Sequence, residues 1–447
     1  MKGVNMKKNI YVIFIFILSC NYKSSKNDII DSIEDETDII DVKRDEVIYC
    51  CDMSYLYEYD WGHSLDEDKE EIEETDEDFL PDFPNCSNAL DGTATELIPV
   101  PPSRPPMPCG PNCRQVSFAE SDVWSWTIGI WENKLVFSTG TTGYTPDITR
   151  IWLVDLDNLN QYIISESNVA NVDQPISRNT DIFDNKIVWV YSVLIDLDRY
   201  ISRNCIMLYD LLDFSVRDVW SMVFPSREPS DLRIYGNYLA WWDGRVIVPW
   251  GGQVFLFNIE TAEERLLSPD GCCASAVEMN GNWVVWEQGV PGSGTNIWVH
   301  DIERNESRPI TSGRKDKWSP YVYDNKVVWA ECFVEGCTHY DGMSSDIMMM
   351  DLITGEVTRI TNDLHRQSRP ILGDNIVLWS DCRNDPENSA ECWNREIDIY
   401  MKDLTTQEER RVTDLPGDEG PDGIWGNKVY FLKRDLANIL SVFELTL

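Results

Sequence analysis

A short phrase recurs seven times over the last three quarters of the chain. Each copy starts with Asn and continues as a β-branched and aromatic run that ends in Trp or Phe. The copies start at Asn133, Asn185, Asn237, Asn282, Asn325, Asn375 and Asn427. Their spacings are 52, 52, 45, 43, 50 and 52 residues. A period in this range predicts a repeat architecture in which each unit buries its core against its neighbours.

Each repeat predicts four short antiparallel strands. The residue before each Asn is Gly, Asp or Glu, and the Gly-Asn and Asp-Asn pairs suit the positive φ angles of a tight hairpin turn. In the repeat that contains Asn325, one strand is expected before the turn at 320–323 and later strands at 347–352 and 358–361. Four antiparallel strands per unit are typical of a propeller blade.

The two ends of the repeat array predict how it closes. The seventh unit stops after its third strand, and residues 114–118 have the pattern of the missing outer strand. Closing the ring in this way removes the two exposed sheet edges of an open array. We therefore expect residues 114–447 to form an all-β, seven-bladed β-propeller that is closed by its own N-terminal strand and monomeric.

The repeats resemble the TolB-type propeller repeat family. The best matches are residues 325–361 and 375–413, which include Asp346-Ile347 and Asp398-Ile399-Tyr400. The resemblance covers the seven units and leaves out the first hundred residues. The Ser-Pro-Asp-Gly turn of that family is replaced by Gly-Asn and Asp-Asn turns. The resemblance implies a bacterial binding scaffold.

The N-terminus predicts export. Residues 1–20 combine a basic start at Met6-Lys-Lys with an apolar run that is too short to span a membrane, as in a secretory signal peptide. The segment ends in Ile17-Leu-Ser-Cys20, which resembles a bacterial lipoprotein cleavage box and makes Cys20 the predicted lipidated residue. An ordinary signal peptide with an incidental cysteine is the alternative. The expected location is periplasmic or at the cell surface, with a lipid anchor in a bacterial membrane.

The segment between the signal and the repeats is strongly acidic. Residues 27–83 contain 23 Asp and Glu against three basic residues, about half of the formal net charge of −39. Such composition predicts a disordered acidic tether over residues 21–98, followed by a Pro- and Cys-rich linker over residues 99–113. The charge disfavours nucleic acid and anionic lipid as partners, which leaves the lipid anchor as the only expected membrane contact. Tyr49, Tyr55, Tyr57, Tyr59 and Trp61 interrupt the stretch, so it is either a plain spacer or carries a short partner-binding motif.

The 13 cysteines predict disulfides, since an exported chain can oxidise them. The expected pairs are Cys332–Cys337, Cys382–Cys392 and Cys109–Cys113. The spacings do not match a zinc ribbon, and we expect no metal site. The sequence leaves the pairing of six others open: Cys50, Cys51, Cys86, Cys205, Cys272 and Cys273.

The propeller face that carries the longer loops is the expected binding surface, because rigid scaffolds place function on such loops. Seven basic and aromatic residues were assigned to it as ligand contacts: Arg227, Trp250, Lys317, Trp318, Arg366, Arg369 and Trp393. A basic and aromatic patch on an acidic protein suits a peptide or a glycan. The predicted partner is therefore an envelope protein or glycan.

Familiar catalytic motifs are absent from the sequence. It contains no Gly-x-Ser-x-Gly elbow, no His-Glu-x-x-His and no phosphate-binding Gly-rich loop, and it has four histidines. We therefore expect a binding module that is not an enzyme, with no catalytic residue and no cofactor. Two alternatives stay open. One is a propeller polysaccharide lyase or hydrolase with convergent carboxylates of perturbed pKa in the central channel, and the other is a structural envelope protein.

Overall fold

The structure is a computed structural model. It describes residue 86 and residues 93–102, 105–119, 128–140, 148–168, 176–196, 201–225, 228–245, 252–269, 273–290, 294–332, 344–384, 397–434 and 439–447. These residues form strands and turns, and the ordered elements are all β. Within them, no helix has the length and apolar character needed to cross a membrane.

Twenty-eight strands follow one another along the described chain. They are β1 (Cys113–Gln115), β2 (Gly129–Trp131), β3 (Lys134–Gly140), β4 (Ile148–Asp155), β5 (Gln161–Asn168), β6 (Ile176–Phe183), β7 (Lys186–Asp196), β8 (Ile201–Asp210), β9 (Val216–Pro225), β10 (Ser230–Tyr235), β11 (Tyr238–Asp243), β12 (Gln253–Asn258), β13 (Glu263–Leu266), β14 (Ala274–Asn280), β15 (Trp283–Val290), β16 (Gly294–Asp301), β17 (Glu306–Pro309), β18 (Lys317–Tyr323), β19 (Lys326–Cys332), β20 (Ser345–Asp351), β21 (Val357–Arg359), β22 (Gln367–Leu372), β23 (Ile376–Asp381), β24 (Asp398–Asp403), β25 (Glu409–Arg411), β26 (Pro421–Trp425), β27 (Lys428–Arg434) and β28 (Leu440–Thr446).

These strands build seven four-stranded antiparallel sheets, which confirms the seven-bladed propeller. Blades 1 to 6 each use four consecutive strands from β2 to β25, with the first strand innermost and the fourth outermost. Blade 7 has the order β1-β28-β27-β26, so the N-terminal strand supplies its outer strand. Cys113 pairs with Leu445 and Gln115 with Phe443. The predicted closure of the ring is therefore confirmed.

The turn chemistry and the tryptophans explain why the repeats fold in this way. The residue before the repeated Asn has positive φ in six blades, for example Asp184 at 54° and Gly236 at 61°. A hydrophobic cluster between neighbouring blades surrounds the aromatic residue that ends each phrase. Five of these positions are Trp and are at most 2 % exposed: Trp189, Trp241, Trp286, Trp329 and Trp379. Large buried aromatic side chains supply much of the apolar burial that holds the blades together.

The chain that precedes β1 lies along the outside of blades 1 and 2. Cys86 forms a disulfide with Cys205 of β8, 119 residues away in sequence. Thr93 and Val100 form antiparallel bridges with β5, the outer strand of blade 1. We call residues 93–102, together with Cys86, the strap. The strap fixes the root of the acidic segment to the side of the propeller.

Candidate functional site

The innermost strands line the central channel with three layers of side chains. The layers are defined by position relative to the repeated Asn of each blade, because alternate residues of a strand point to the same side. The aromatic layer lies two residues before the Asn and contains Trp131, Phe183, Tyr235, Asn280, Tyr323, Gly373 and Trp425. The charged layer lies four residues before it and contains Gly129, Asp181, Arg233, Glu278, Tyr321, Ile371 and Gly423. The bulge layer lies six residues before it and contains Asn179, Asp231, Ala276, Ser319, Arg369 and Pro421.

A β-bulge separates the bulge layer from the charged layer in blades 2 to 7. The register between the first two strands shifts there in every one of these blades, for instance between Ser230 and Arg233. Five bulge-layer residues, none of them glycine, have positive φ, between 49° and 53°. Bulges re-aim side chains and are common beside active sites. Here they turn polar groups of both layers toward a cavity of about 130 Å³.

Arginine–carboxylate pairs between adjacent blades surround this cavity. The guanidinium of Arg233 donates to both carboxylate oxygens of Glu278, at 2.8 Å from Nε and 2.6 Å from Nη2. Across the cavity, Arg369 pairs with Asp422, and both residues line the cavity wall together with Tyr321. The bidentate Arg233–Glu278 pair fixes the plane of the Arg233 guanidinium in the channel. The charged layer and the bulge layer together therefore present two arginines, Arg233 and Arg369, and the phenol of Tyr321 to one small space.

Carboxylates near the cavity have raised pKa values. Burial raises the pKa of Asp181 to about 6, although the charge of Arg233 acts in the opposite direction. Oδ2 of Asp181 accepts a hydrogen bond from the Ile234 amide at 3.0 Å. Burial also raises the pKa of Asp422 above its usual range and that of Glu287 to about 7. A carboxyl group that titrates near neutrality can either accept or donate a proton, as acid–base chemistry requires.

Glu287 gives a pH-dependent stability that can be measured. A raised pKa means that the folded protein holds this proton more tightly than the unfolded chain, so the associated stability is full at low pH. It is lost as pH rises through the interval from the unfolded value of 4.5 to about 7. In Glu287→Gln, the amide oxygen can still accept the Ser319 N–H bond of 2.6 Å. As pH rises from about 4 to about 8, we expect the free energy of unfolding of the variant to increase relative to that of wild type by on the order of 3 kcal/mol.

Urea unfolding of both proteins at several pH values across this interval measures the gain. The matched control is Glu303→Gln on an exposed turn, which makes the same chemical change away from the channel. A constant difference for Glu287→Gln would show that Glu287 titrates in the folded protein as it does in the unfolded chain.

The aromatic layer forms one continuous arc below the charged layer. Trp131 contacts Phe183 with ring centroids 4.2 Å apart and Trp425 at 5.2 Å, and Phe183 contacts Tyr235 at 4.4 Å. The arc thus joins blades 7, 1, 2 and 3. Beyond it, the hydroxyl of Tyr323 donates to Asp374 at 2.6 Å. The arc gives the channel an apolar wall at the tight-turn face, so polar groups concentrate toward the other face.

Two of the sequence-predicted ligand contacts, Lys317 and Trp318, are buried inside a blade. Lys317 is 2 % exposed, and its ammonium donates to Asn296 Oδ1 at 3.1 Å and to the Ser312 carbonyl at 2.8 Å. Trp318 is 4 % exposed and belongs to a core cluster. Both lie in β18, in the blade interior, because the inner strand starts earlier than the sequence pattern indicated. The prediction that these two side chains lie in surface loops is therefore wrong.

The other five predicted contacts have different positions: one lies in the channel, one lies beside the start of β22, and three lie outside the described residues. Arg369 lies in the bulge layer and faces the cavity. Arg366 is half-buried next to the start of β22 and forms a parallel bridge with Ser345. Arg227, Trp250 and Trp393 lie outside the described residues. The sequence does carry a signal for the channel site: the position four residues before the Asn is charged in three consecutive repeats.

The disulfides can be compared with the expected pairs. Cys109 and Cys113 are joined to each other. Cys332 and Cys382 are both disulfide-bonded, while their predicted partners Cys337 and Cys392 lie outside the described residues. Cys20 also lies outside them. The Cys86–Cys205 bond, which the sequence left open, joins the strap to blade 2. These disulfides indicate an oxidising compartment.

The side chains of the described residues determine which ligand groups the cavity can bind. No group of three or more His, Cys, Asp or Glu side chains that could hold a metal ion occurs among them. The cavity instead combines carboxyl groups of raised pKa with arginines and Tyr321, whose phenol pKa is raised by burial. These side chains can hold polar or anionic groups of a ligand and exchange protons with it.

Solved structures share this fold at low sequence identity. An oligogalacturonate lyase in complex with manganese is 13 % identical, with a TM-score of 0.52, and the match covers 79 % of this chain and 98 % of the lyase. The β-propeller domain of the Trilobed protease from Pyrococcus furiosus is 12 % identical, with a TM-score of 0.51 and coverage of 74 % and 94 %. An acylaminoacyl peptidase from Pyrococcus horikoshii is 12 % identical, with a TM-score of 0.50 and coverage of 72 % and 50 %.

The sequence comparisons add no family assignment. No protein-family model and no curated protein matches the chain. A TolB protein from Agrobacterium tumefaciens is 13 % identical over 55 % of this chain and 82 % of its own, with a TM-score of 0.35. At that value the resemblance to TolB remains an expectation, and the propeller fold is what the structures support.

The expectation that the chain is not an enzyme is corrected by this comparison. Lyases and peptidases are among the solved structures of the same architecture. The missing motifs belong to other folds, so their absence from the sequence does not exclude catalysis by a propeller. Asp422 lines the cavity in the channel, and burial raises the pKa of its carboxyl group above its usual range.

Proposed function

We propose that this protein is an exported enzyme that cleaves a polysaccharide in its central channel, by hydrolysis or by elimination. The observation that carries the proposal is Asp181, a carboxyl group with a pKa of about 6 beside the Arg233–Glu278 pair. A group that titrates just below neutrality is suited to take a proton from a hydroxyl, a water or a carbon. Similar folds among lyases support a catalytic channel, at the level of fold only.

Each channel group has a distinct role in this proposal. Asp181 is the proton acceptor, with its Oδ2 held by the Ile234 amide and its Oδ1 beside Gly129. Tyr321 keeps its phenol proton at neutral pH, since burial raises its pKa, and it donates that proton to the leaving oxygen. Arg233 and Arg369 bind the negative charge that develops during bond cleavage, held in place by Glu278 and Asp422.

Turnover by channel variants tests the proposal. The purified protein is incubated with polygalacturonate as an anionic substrate and with a neutral glucan, and new reducing ends are counted. Asp181→Asn should lower turnover by about 10² or more, because it removes the proton acceptor. Ultraviolet absorbance of an unsaturated product separates elimination from hydrolysis.

The matched control is Asp184→Asn, three residues away on the exposed turn. Asp184 has a positive φ of 54°, which asparagine tolerates well, and this variant should keep full turnover. Equal activity of Asp181→Asn and wild type would remove Asp181 from the mechanism. Binding of a polysaccharide without any cleavage would return the protein to the class of binding modules.

Export and anchoring are part of the same proposal. Residues 1–20 would direct secretion and Cys20 would carry the lipid. Of the predicted tether and linker (residues 21–98 and 99–113), the part before Cys86 would hold the propeller away from the membrane, because Thr93 and Val100 pair with β5. The described disulfides support an oxidising compartment. Mass spectrometry of the mature N-terminus tests the anchor: an acylated Cys20 is the expected result, and an unmodified N-terminus elsewhere would contradict it.

A further inference from the structure

A second cavity, of about 390 Å³, lies between the outer strand of blade 5 and the outer strands of blade 6. A volume of this size falls within the range of small-molecule sites, about 300–1,000 Å³. The cavity shares no lining residue with the cavity in the channel. Its lining includes six charged or amide side chains: Arg359, Asn362, Asp363, Arg383, Lys402 and Glu409.

Two of the cations in this lining are held in place by the protein. The guanidinium of Arg359 pairs with the buried carboxylate of Asp346, and its Nε donates to the Thr361 carbonyl at 3.0 Å. The ammonium of Lys402 donates to the Ile360 carbonyl of the neighbouring blade at 3.0 Å. Fixed side chains lose little further freedom when a ligand binds. These donors are therefore ordered before any ligand arrives.

The third cation, Arg383, lies between carboxylates. Its guanidinium lies 4.4 Å from the centroid of the Tyr400 ring, and its Nη2 donates to the buried Asp381 at 2.6 Å. Its Nη1 donates to Oε1 of Glu409 at 2.8 Å. Glu409 and Asp363 add acceptor oxygens to the same lining. The cavity thus offers a ligand both hydrogen-bond donors and acceptors.

Blade 3 repeats the arginine–glutamate pair and shows what fits beside it. Arg245 Nη1 donates to Glu264 at 2.7 Å. The space next to this pair is taken by Trp220 of β9, the outer strand of blade 2. The Arg245 guanidinium lies 5.3 Å from the centroid of the Trp220 ring, and the indole N–H donates to Glu264 at 2.6 Å. A ring that carries a hydrogen-bond donor therefore fits beside such a pair.

The boundary between blades 5 and 6 differs from that between blades 2 and 3 at two positions. Ile360 takes the place of Trp220, since it is bonded to β20 as Trp220 is to β8. Lys402 takes the place of Phe257, because each lies opposite the glutamate of its outer strand. The smaller Ile360 leaves room for a ring, and Lys402 replaces an apolar wall with a charged donor.

The lining favours a neutral sugar ring over an aromatic ring or an anion. An aromatic ring would cover Lys402 and Asp363 without replacing their hydrogen bonds to water, which is unfavourable. An anion meets no excess of positive charge, since four carboxylates, with Asp346 and Asp381 included, accompany three cations. The net charge of the chain, −39, also repels anions. Sugar hydroxyls both donate and accept, as this lining requires.

We propose that the cavity between blades 5 and 6 binds a neutral sugar residue. One hydroxyl donates to Glu409, as the indole of Trp220 does to Glu264 in blade 3, and others accept from Lys402 and Arg359. The site lies on the side of the propeller and needs no turnover, so it goes beyond the cleavage proposed for the channel. It holds a glycan at a second place on the same molecule.

Binding of simple sugars by the purified full chain tests the proposal. The probes are the methyl glycosides of glucose, galactose, mannose and N-acetylglucosamine, and saturation-transfer NMR titrations give a dissociation constant for each. We expect wild type to bind at least one probe. Lys402→Met should weaken that binding at least about tenfold, because a charged donor is lost. Blade 5 carries Met350 at the corresponding strand position, so the fold tolerates this substitution.

Two further variants locate the bound sugar. Lys326→Met makes the same chemical change at the start of β19, outside the cavity lining, and should bind as wild type does. Asp181→Asn should also leave the binding unchanged, which separates this site from the proposed catalysis. Binding that is lost in Asp181→Asn and kept in Lys402→Met would place the sugar in the channel and overturn the proposal.

Three other outcomes also contradict a sugar site between blades 5 and 6. The first is that wild type binds none of the four glycosides. The second is equal affinity of wild type and Lys402→Met for every glycoside that binds. The third is binding of inorganic sulfate, measured in the same way, without binding of any glycoside, which would make the cavity an anion site.

Discussion

Removal of the Cys86–Cys205 disulfide is expected to lower the free energy of unfolding by about 5 kcal/mol. The bond closes a loop of 119 residues, and a cross-link restricts the unfolded chain more as the loop grows. The chain-entropy relation gives this value at 25 °C. The variant to compare is Cys86→Ala with Cys205→Ala, since Cys205 is fully buried and a free thiol there invites wrong pairing.

The short disulfide is the matched control for this prediction. Cys109 and Cys113 lie four residues apart, so replacing both with Ala should cost only about 2 kcal/mol by the same relation. Urea unfolding of the three proteins gives the comparison. Equal losses for the two disulfides would show that strain or packing dominates, and that loop length does not set the stability.

The second large effect is expected at Asp381. Its side chain is fully buried and accepts hydrogen bonds from the Trp379 indole at 2.8 Å and from Arg383 Nη2 at 2.6 Å. Asp381→Ala removes the acceptor of the Trp379 indole N–H and of Arg383 Nε and Nη2, and leaves the partly buried guanidinium with Glu409 alone, through Nη1 at 2.8 Å. Breaking a buried pair from one side costs about 3–5 kcal/mol, and we expect a loss of that size.

Blade 3 repeats this arrangement and provides an internal replicate. Asp243 accepts from Trp241 at 2.9 Å and from Arg245 Nη2 at 2.7 Å. Arg245 lies over the Phe255 ring at 3.6 Å, as Arg383 lies over Tyr400 at 4.4 Å. Asp243→Ala should therefore cost about as much as Asp381→Ala.

A double variant separates the cost of an unpaired charge from that of lost packing. Asp381→Ala with Arg383→Met removes both charges, so part of the stability should return. Unfolding in urea measures all variants. A double variant less stable than Asp381→Ala would show that the stacking of Arg383 on Tyr400 matters more than its pairing.

The propeller could be predicted from the sequence because its determinants are local and repeated. Each Asn turn fixes a hairpin, and each Trp such as Trp286 marks a buried inter-blade position, so seven copies reinforce one another. The orphan strand at residues 113–115 was recognisable because the last repeat lacks its partner. The bulges were not predictable, since positive φ at residues such as Ser319 and Arg369 depends on the neighbouring blade.

The channel site was harder to predict for the same reason. Charged residues in an inner strand look like surface residues until the ring closes and turns them inward. Arg233 and Glu278 belong to different repeats, 45 positions apart, and only the assembled ring makes them a pair. Lys317 shows the opposite error, because a lysine whose ammonium is satisfied by Asn296 and Ser312 can be buried. Sequence alternation gives the face of a strand but not its hydrogen-bond partners.

The pairing of β1 with β28 also determines when the propeller ring can close during synthesis. Arg114 donates to Glu444 across 330 residues, so β1 has no blade to join until β26 to β28 have been synthesised. At a synthesis rate of about 5–20 residues per second, roughly 15 to 70 s pass between the synthesis of β1 and that of its partner strand. The six blades between can form in order as they emerge, but the ring stays open until the last residues arrive. A chain that loses its final strand would therefore lose the partner of its first one.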